Sequence, residues 1–150
     1  MKTNPEQPSQ ILIREATAKD AGDAVRLICQ LGDDSEVTEG YVLHYLSGTD
    51  RCILLAERAD AVVGLLSYSM RADLFHGGNS VLIEELVVDE GCRGAGIGGA
   101  LLDELMKRAE AFACKEVCLA VMPDNDEAIR FYKRHGLVEE ALFLERHFIL

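Results

Sequence analysis

Apolar and polar positions change period several times along the chain, and each period predicts an element. Ile11 and Ile13 alternate with polar neighbours, the mark of a half-buried strand. Past Thr17, placed to cap a helix, Ala21, Ala24, Val25, Ile28 and Leu31 recur at helical spacing. Gly32 and the acids after it stop that run. A second short helix is predicted over residues 36–46, with Val37, Tyr41, Val42 and Tyr45 on one face. Residues 51–58 (RCILLAER) and 61–70 (AVVGLLSYSM) flank the tight turn Ala59-Asp60 and read as a hairpin. After a loop at His76-Gly77-Gly78-Asn79, residues 80–88 (SVLIEELVV) add a third strand to an antiparallel meander. The period then turns helical at Ile97, Leu101, Leu105, Ala109 and Phe112. Residues 117–121 are a short apolar strand, and Pro123-Asp124-Asn125 is a turn. Asn125 or Asp126 can cap a last helix that runs to about His135 and ends at Gly136. Residues 137–150 read as one or two final strands. The order β-α-α-β-β-β-α-β-α-β-β describes an α/β fold, a mixed sheet with helices on its faces. It forms one domain over residues 10–150, after a flexible tail at 1–9.

Composition narrows the classes. A chain of 150 residues suits one core, and 49% apolar with 27% charged residues is the balance of a globular protein. No apolar run approaches the roughly 20 residues of a membrane helix. The opening MKTNPEQPSQ has no signal-peptide character, so a cytoplasmic location is expected. A net charge of −11 argues against nucleic acid as partner. It suits a cationic small substrate such as an amine, and equally a charge carried only for solubility. The five cysteines (Cys29, Cys52, Cys92, Cys114, Cys118) lack Cys-x-x-Cys spacing and read as free thiols. The histidines His44, His76, His135 and His147 form no His-Glu-x-x-His pattern, and no metal is expected.

The segment Arg93-Gly94-Ala95-Gly96-Ile97-Gly98-Gly99 carries the chemistry. Its glycines formally match G-x-G-x-x-G, but in a Rossmann site the first glycine follows the strand directly. Here Asp89-Glu90-Gly91-Cys92-Arg93 intervenes, after an antiparallel meander. No Gly-Lys-Ser/Thr follows, so it is not a P-loop. Glycines still let backbone approach an anion closely, and a helix starting near Ile97 aims free N–H groups and its positive dipole end at the loop. Arg93 adds a charge. The segment reads as a backbone cradle for a pyrophosphate.

With the strand before it, this segment resembles the acetyl-CoA motif of the GNAT superfamily of N-acetyltransferases: Leu86-Val-Val-Asp-Glu-Gly-Cys-Arg93-Gly-Ala-Gly96-Ile-Gly98. A second motif is also similar, Asn125-Asp-Glu-Ala128-Ile-Arg-Phe131-Tyr132-Lys-Arg-His-Gly136-Leu. A proline common in the loop is replaced by Asp89-Glu90, and Leu137 stands where an aromatic is usual.

The resemblance implies an acetyl-CoA-dependent transfer to a primary amine of a small molecule, of polyamine, amino-acid or aminoglycoside type. It implies that the backbone of Leu86, Val87 and Val88 pairs with the pantetheine arm where two strands splay. It places the pyrophosphate on the amides of Arg93, Gly94, Ala95, Gly96, Ile97, Gly98 and Gly99, and Asn125 near the thioester. Tyr132 resembles the tyrosine that protonates the departing thiolate. An alkylammonium must lose a proton before it attacks, and Glu84 and Glu85 are the base candidates. Neighbours in a strand face opposite sides, so one of them is expected on each face. Glu84 aligns with the glutamate of polyamine acetyltransferases. Acceptors of the protein N-terminal type call for a glutamate where this chain has Leu119-Ala120-Val121. The acceptor region falls on residues 32–48, with Asp33, Asp34, Glu36, Glu39, Tyr41 and Tyr45, and His44 and His76 are further base candidates. Phe143, Leu144, Phe148 and Ile149 read either as core or as the surface of a homodimer. The competing classes are a non-catalytic acyl-CoA sensor on the same fold and, against the loop context, a nicotinamide oxidoreductase.

Overall fold

A computed structural model describes residues 9–149. The tail expected at 1–9 therefore lies, apart from Ser9, outside the described residues. Five strands form one sheet in the order β1 (Leu12–Glu15), β2 (Arg51–Arg58), β3 (Ala61–Asp73), β4 (Gly78–Val88) and β5 (Glu116–Leu119). The first four are antiparallel neighbours, and β5 joins β4 in parallel. The β2–β3 turn places both Ala59 and Asp60 at positive φ (50° and 62°). That is the hand of turn that matches the twist of a two-residue hairpin.

Helices cover both faces. On one lie α1 (Ala21–Ile28) and α2 (Glu39–Leu46), packed on Ile53, Leu55, Leu65 and Val87. On the other lie α3 (Ile97–Ala111) and α4 (Asp126–Arg134). The stripe Ile97, Leu101, Leu105 and Ala109 is buried there against Leu54, Leu66 and Ile83, as the helical period requires, but Phe112, expected to continue it, is the exposed C-cap of α3. Gly64 sets how closely α3 meets the sheet. A Cβ at Gly64 would stand 2.8 Å from Ile97 Cγ2 and 3.1 Å from Leu101 Cδ1. The first turn of α3 thus rests directly on the backbone of β3.

Some boundaries moved. A short 3-10 turn over Ala18–Asp20 precedes α1, and the Thr17 N–H donates to Asp20 Oδ2 at 2.8 Å. The helix ends at Ile28, so Leu31 is exposed rather than part of the stripe. Asp20 in turn holds Arg14, which also bridges to Glu57 on β2. That ion pair holds the Asp20 carboxyl down at about 2. The second helix starts at Glu39, not at 36, because the Thr38 side chain accepts from the Tyr41 N–H at 3.1 Å and fixes the start. β3 and β4 run past the expected ends to Asp73 and from Gly78, leaving only Leu74–Gly77 as the turn.

The last stretch is the larger correction. Beyond α4 no strand forms among the described residues, and the sheet has five strands where the pattern predicted six or seven. Residues 137–149 run without regular structure. Leu142, Phe143, Leu144, Phe148 and Ile149 are all exposed, so they are not core. A strand exists only through its hydrogen-bonded neighbour, and here this alternating apolar segment has none.

Candidate active site

The glycine loop is built as its composition demands. β4 ends at Val88, a 3-10 turn follows at Glu90–Cys92, and α3 begins at Ile97. Gly94 and Gly96 have φ of +82° and +77°, a region that only glycine enters freely. Nothing lies within 4 Å of where a Cβ would stand at either position. Gly96 is the N-cap of α3, with no side-chain cap and no acidic residue in the first turn. The first i→i−4 bond of the helix runs from the Ala100 N–H to Gly96 O at 3.0 Å. The N–H groups of Ile97, Gly98 and Gly99 therefore have no acceptor within the helix. Open space, paired left-handed glycines and free donors on a helix dipole together fit a pyrophosphate.

The loop is held from α1. Arg26 Nη1 donates to Asp89 Oδ2 at 2.7 Å, and the Glu90 N–H donates to Gln30 Oε1 at 3.0 Å. The arginine holds the Asp89 carboxyl below its usual range. Arg93 Nε donates to Val88 O at 3.3 Å, so this arginine rests on the end of β4.

Beside Leu86, Val87 and Val88 the outer edge of β4 has no paired strand among the described residues. The β4–β5 ladder pairs Ser80↔Glu116 through Ile83↔Leu119 and then stops, while β4 continues to Val88. From Glu84 onward β4 has no strand partner on that side. Leu86 and Val88 lean on the α3 side, with Phe131 and Tyr132 of α4 packed against the same cluster. A Cβ on Gly98 would meet Phe131 at 3.5 Å and Val88 at 3.7 Å, so α4 closes over the point where strand becomes loop.

Glu84 and Glu85 depart from the expected alternation. Against β3, Glu85 pairs with Ser67 but Ile83 pairs with Tyr68, so Glu84 is the extra residue of a β-bulge. The bulge turns both carboxylates to the α1–α2 face, where they line one cleft of about 810 Å³. Glu84 Oε2 accepts from Tyr45 Oη at 2.7 Å and Oε1 from Ser69 Oγ at 3.2 Å. Glu85 is the more enclosed, and its carboxylate accepts from Ser67 Oγ. Burial pushes the Glu85 carboxyl up, Ser67 opposes this, and the neighbouring Glu84 charge adds to it. Burial, with Glu84 beside it, pushes the Tyr45 phenol up, so it stays a donor.

Of the residues named for the acceptor region, Glu36, Tyr41 and Tyr45 line the same cleft, and Asp33, Asp34 and Glu39 do not. His44 is exposed on α2 outside it. His76 sits at the far β3–β4 turn, paired with Asp73 at 2.7 Å, and is no base for this cleft. Tyr132 is on the other face of the sheet, packed against the same cluster as Leu86 and Val88, where burial pushes its phenol up. Asn125 is the N-cap of α4, its Oδ1 accepting from the Ala128 N–H at 3.2 Å. Sequence reasoning passed over Ser67 and Arg51, which also line the cleft. Ser67 had a signal, a hydroxyl two residues after Leu65 in an apolar strand. Arg51, the first residue of β2, had none.

This geometry meets independent likenesses. A model of the acetyltransferase (GNAT) family matches residues 19–137. An uncharacterised N-acetyltransferase of Methanocaldococcus jannaschii is 34% identical, over 88% of this chain and 81% of its own length. The aminoalkylphosphonate N-acetyltransferase of Salmonella typhimurium is 31% identical, over 83% of this chain and 82% of its own. A solved structure of a transcriptional regulator from Bacillus halodurans shares the fold at a TM-score of 0.82, with 23% identity, over 93% of this chain and 100% of its own. With glycine loop, unpaired strand edge and carboxylate cleft on one β4, and with that match over most of its length, the chain belongs to the GNAT family and is an N-acetyltransferase.

Proposed function

We propose that this acetyltransferase moves the acetyl group of acetyl-CoA directly to a primary amine of a small molecule held in the cleft between α1, α2 and β4. One observation carries the reading. The β4 bulge places Glu84 and Glu85 in a cleft, and the same strand leads to the phosphate cradle a few residues later.

Acetyl-CoA, when bound, supplies the acyl group as a thioester. The amides of Arg93 to Gly99 would hold its pyrophosphate, and the unpaired edge of Leu86, Val87 and Val88 its pantetheine arm. Glu84, already fixed by Tyr45 and Ser69, orients the ammonium. Glu85, with its raised affinity for a proton, takes one from the ammonium nitrogen and frees the lone pair for attack. Tyr132, half-buried on the α3 side of the sheet, supplies the proton that the departing sulfur takes up. The relative that acts on aminoalkylphosphonates supports a small-molecule acceptor. No helix of the described residues is long and apolar enough to cross a membrane, which is compatible with a cytoplasmic enzyme. A second copy of the chain is the partner proposed for the exposed segment 137–149.

The test is release of free thiol from acetyl-CoA with a panel of primary amines. Amine-dependent release, with the N-acetylated product seen by mass spectrometry, is expected. Tight CoA binding without release for any amine would leave the acyl-CoA sensor as the better reading.

A further inference from the structure

The acceptor cleft carries a positive charge as well as its carboxylates. Arg51 opens β2 and lies opposite Ser69 on β3, and Ser69 Oγ donates to Glu84. Arg51 and Glu84 are thus on strands two spacings apart, about 10 Å between backbones. Both side chains meet Tyr45, Arg51 over the face of its ring and Glu84 at its hydroxyl. The Arg51 guanidinium stands 5.3 Å from the Tyr45 ring centroid, and the Tyr45 hydroxyl donates to Glu84 at 2.7 Å.

This guanidinium is short of partners. Its Nε is buried and makes no hydrogen bond, and its nearest carboxylate among the described residues is the exposed Asp50 at 3.6 Å. Elsewhere in this acidic chain, Arg14, Arg26 and Arg108 are each held by two carboxylates. Gly48 leaves the guanidinium its room, since a Cβ there would stand 2.3 Å from Arg51 Nε. The phosphate cradle does not use it. The row Ala56–Gly64–Val88 beside the cradle is five residues along β2 from Arg51, about 17 Å away at strand rise.

We propose that Arg51 is an anion site within the acceptor cleft, so that the substrate is a short molecule carrying a primary amine and an anionic group, a carboxylate or a phosphorus oxyanion. The proposal rests on the reading of this cleft as the acceptor site. A planar guanidinium with free donors matches such a group bidentately. The carboxylates take the ammonium at the other end, and one tyrosine side chain separates the two. A plain polyamine would leave Arg51 unmatched and place a cation near it.

The experiment compares kcat/KM for 2-aminoethylphosphonate and β-alanine with that for n-propylamine and putrescine. In the wild type at least one anionic amine is expected to exceed the plain amines by about tenfold or more, the scale of a hydrogen bond to a charged group. Arg51→Gln should bring that ratio close to one, and Arg51→Lys should keep part of it. Gly48→Ala, which only pushes the guanidinium aside, should also lower the ratio. Equal turnover of plain and anionic amines by the wild type, or an unchanged ratio in Arg51→Gln, would overturn the anion site while leaving acetyl transfer intact. Should no amine release thiol, acetyl transfer itself fails. The anion site is then read by calorimetric titration of 2-aminoethylphosphonate: weaker binding to Arg51→Gln supports it, and equal binding or none to the wild type overturns it.

Discussion

Glu84 and Glu85 show how far one extra residue in a ladder can change chemistry. A regular strand sends neighbours to opposite faces, and the sequence pattern around them gave no other instruction. The bulge opposite Ser67 and Tyr68 puts both in one cleft. Register errors of this kind are set by pairing with β3, so they are invisible in β4 alone. Tyr132 is the reverse case, a residue legible from its motif whose surroundings needed the fold. It lies across the sheet from the carboxylates, so the proposed acid and the proposed base stand on different faces. Tyr132→Phe is expected to lower kcat by about a hundredfold or more with little change in acetyl-CoA affinity by calorimetry. Unchanged kcat would remove its role as proton donor.

At the scale of elements, β4, the glycine loop and α3 act as one unit. Their existence was readable, because glycine at fixed spacing and a helical apolar stripe are local signals. Two predictions belong here. Gly96→Asp puts a side chain at a φ of +77° and a negative charge at the head of α3. It is expected to abolish acetyl-CoA binding, read by calorimetry, and retained affinity would overturn the cradle. Gly64→Ala drives a methyl into Ile97 and Leu101. Such overpacking costs about 1–3 kcal/mol, seen as a lower midpoint in urea. Because the contact is with the first turn of α3, acetyl-CoA affinity should fall as well. Loss of stability without loss of affinity would show that the helix start moves independently of the cradle.

Over the whole molecule, the sheet order and the two helical faces follow from a meander, a crossover helix and alternating apolar strands. The C-terminal residues did not follow. Residues 137–149 have a strand-like apolar pattern, but pairing is a tertiary property and no strand edge among the described residues is joined to them. β5 is an edge strand of the sheet, and an open edge and an exposed apolar segment each favour association. The proposed second copy would cover them. Light scattering after size exclusion is expected to give a dimer, and Phe143→Lys with Leu144→Asp to give a monomer. A wild type that stays monomeric at tens of micromolar would contradict this.

The placement of Glu85 as the base is open to one direct reading, the pH dependence of kcat for amine acetylation in the wild type and in Glu85→Gln. A base must be ionised to act, and burial has raised Glu85 above its ordinary 4.5. Turnover of the wild type should therefore fall as pH drops through a value above the usual glutamate range. In Glu85→Gln that acid limb should vanish together with most of the rate, about a hundredfold or more. An identical profile and rate in the two proteins would contradict the assignment.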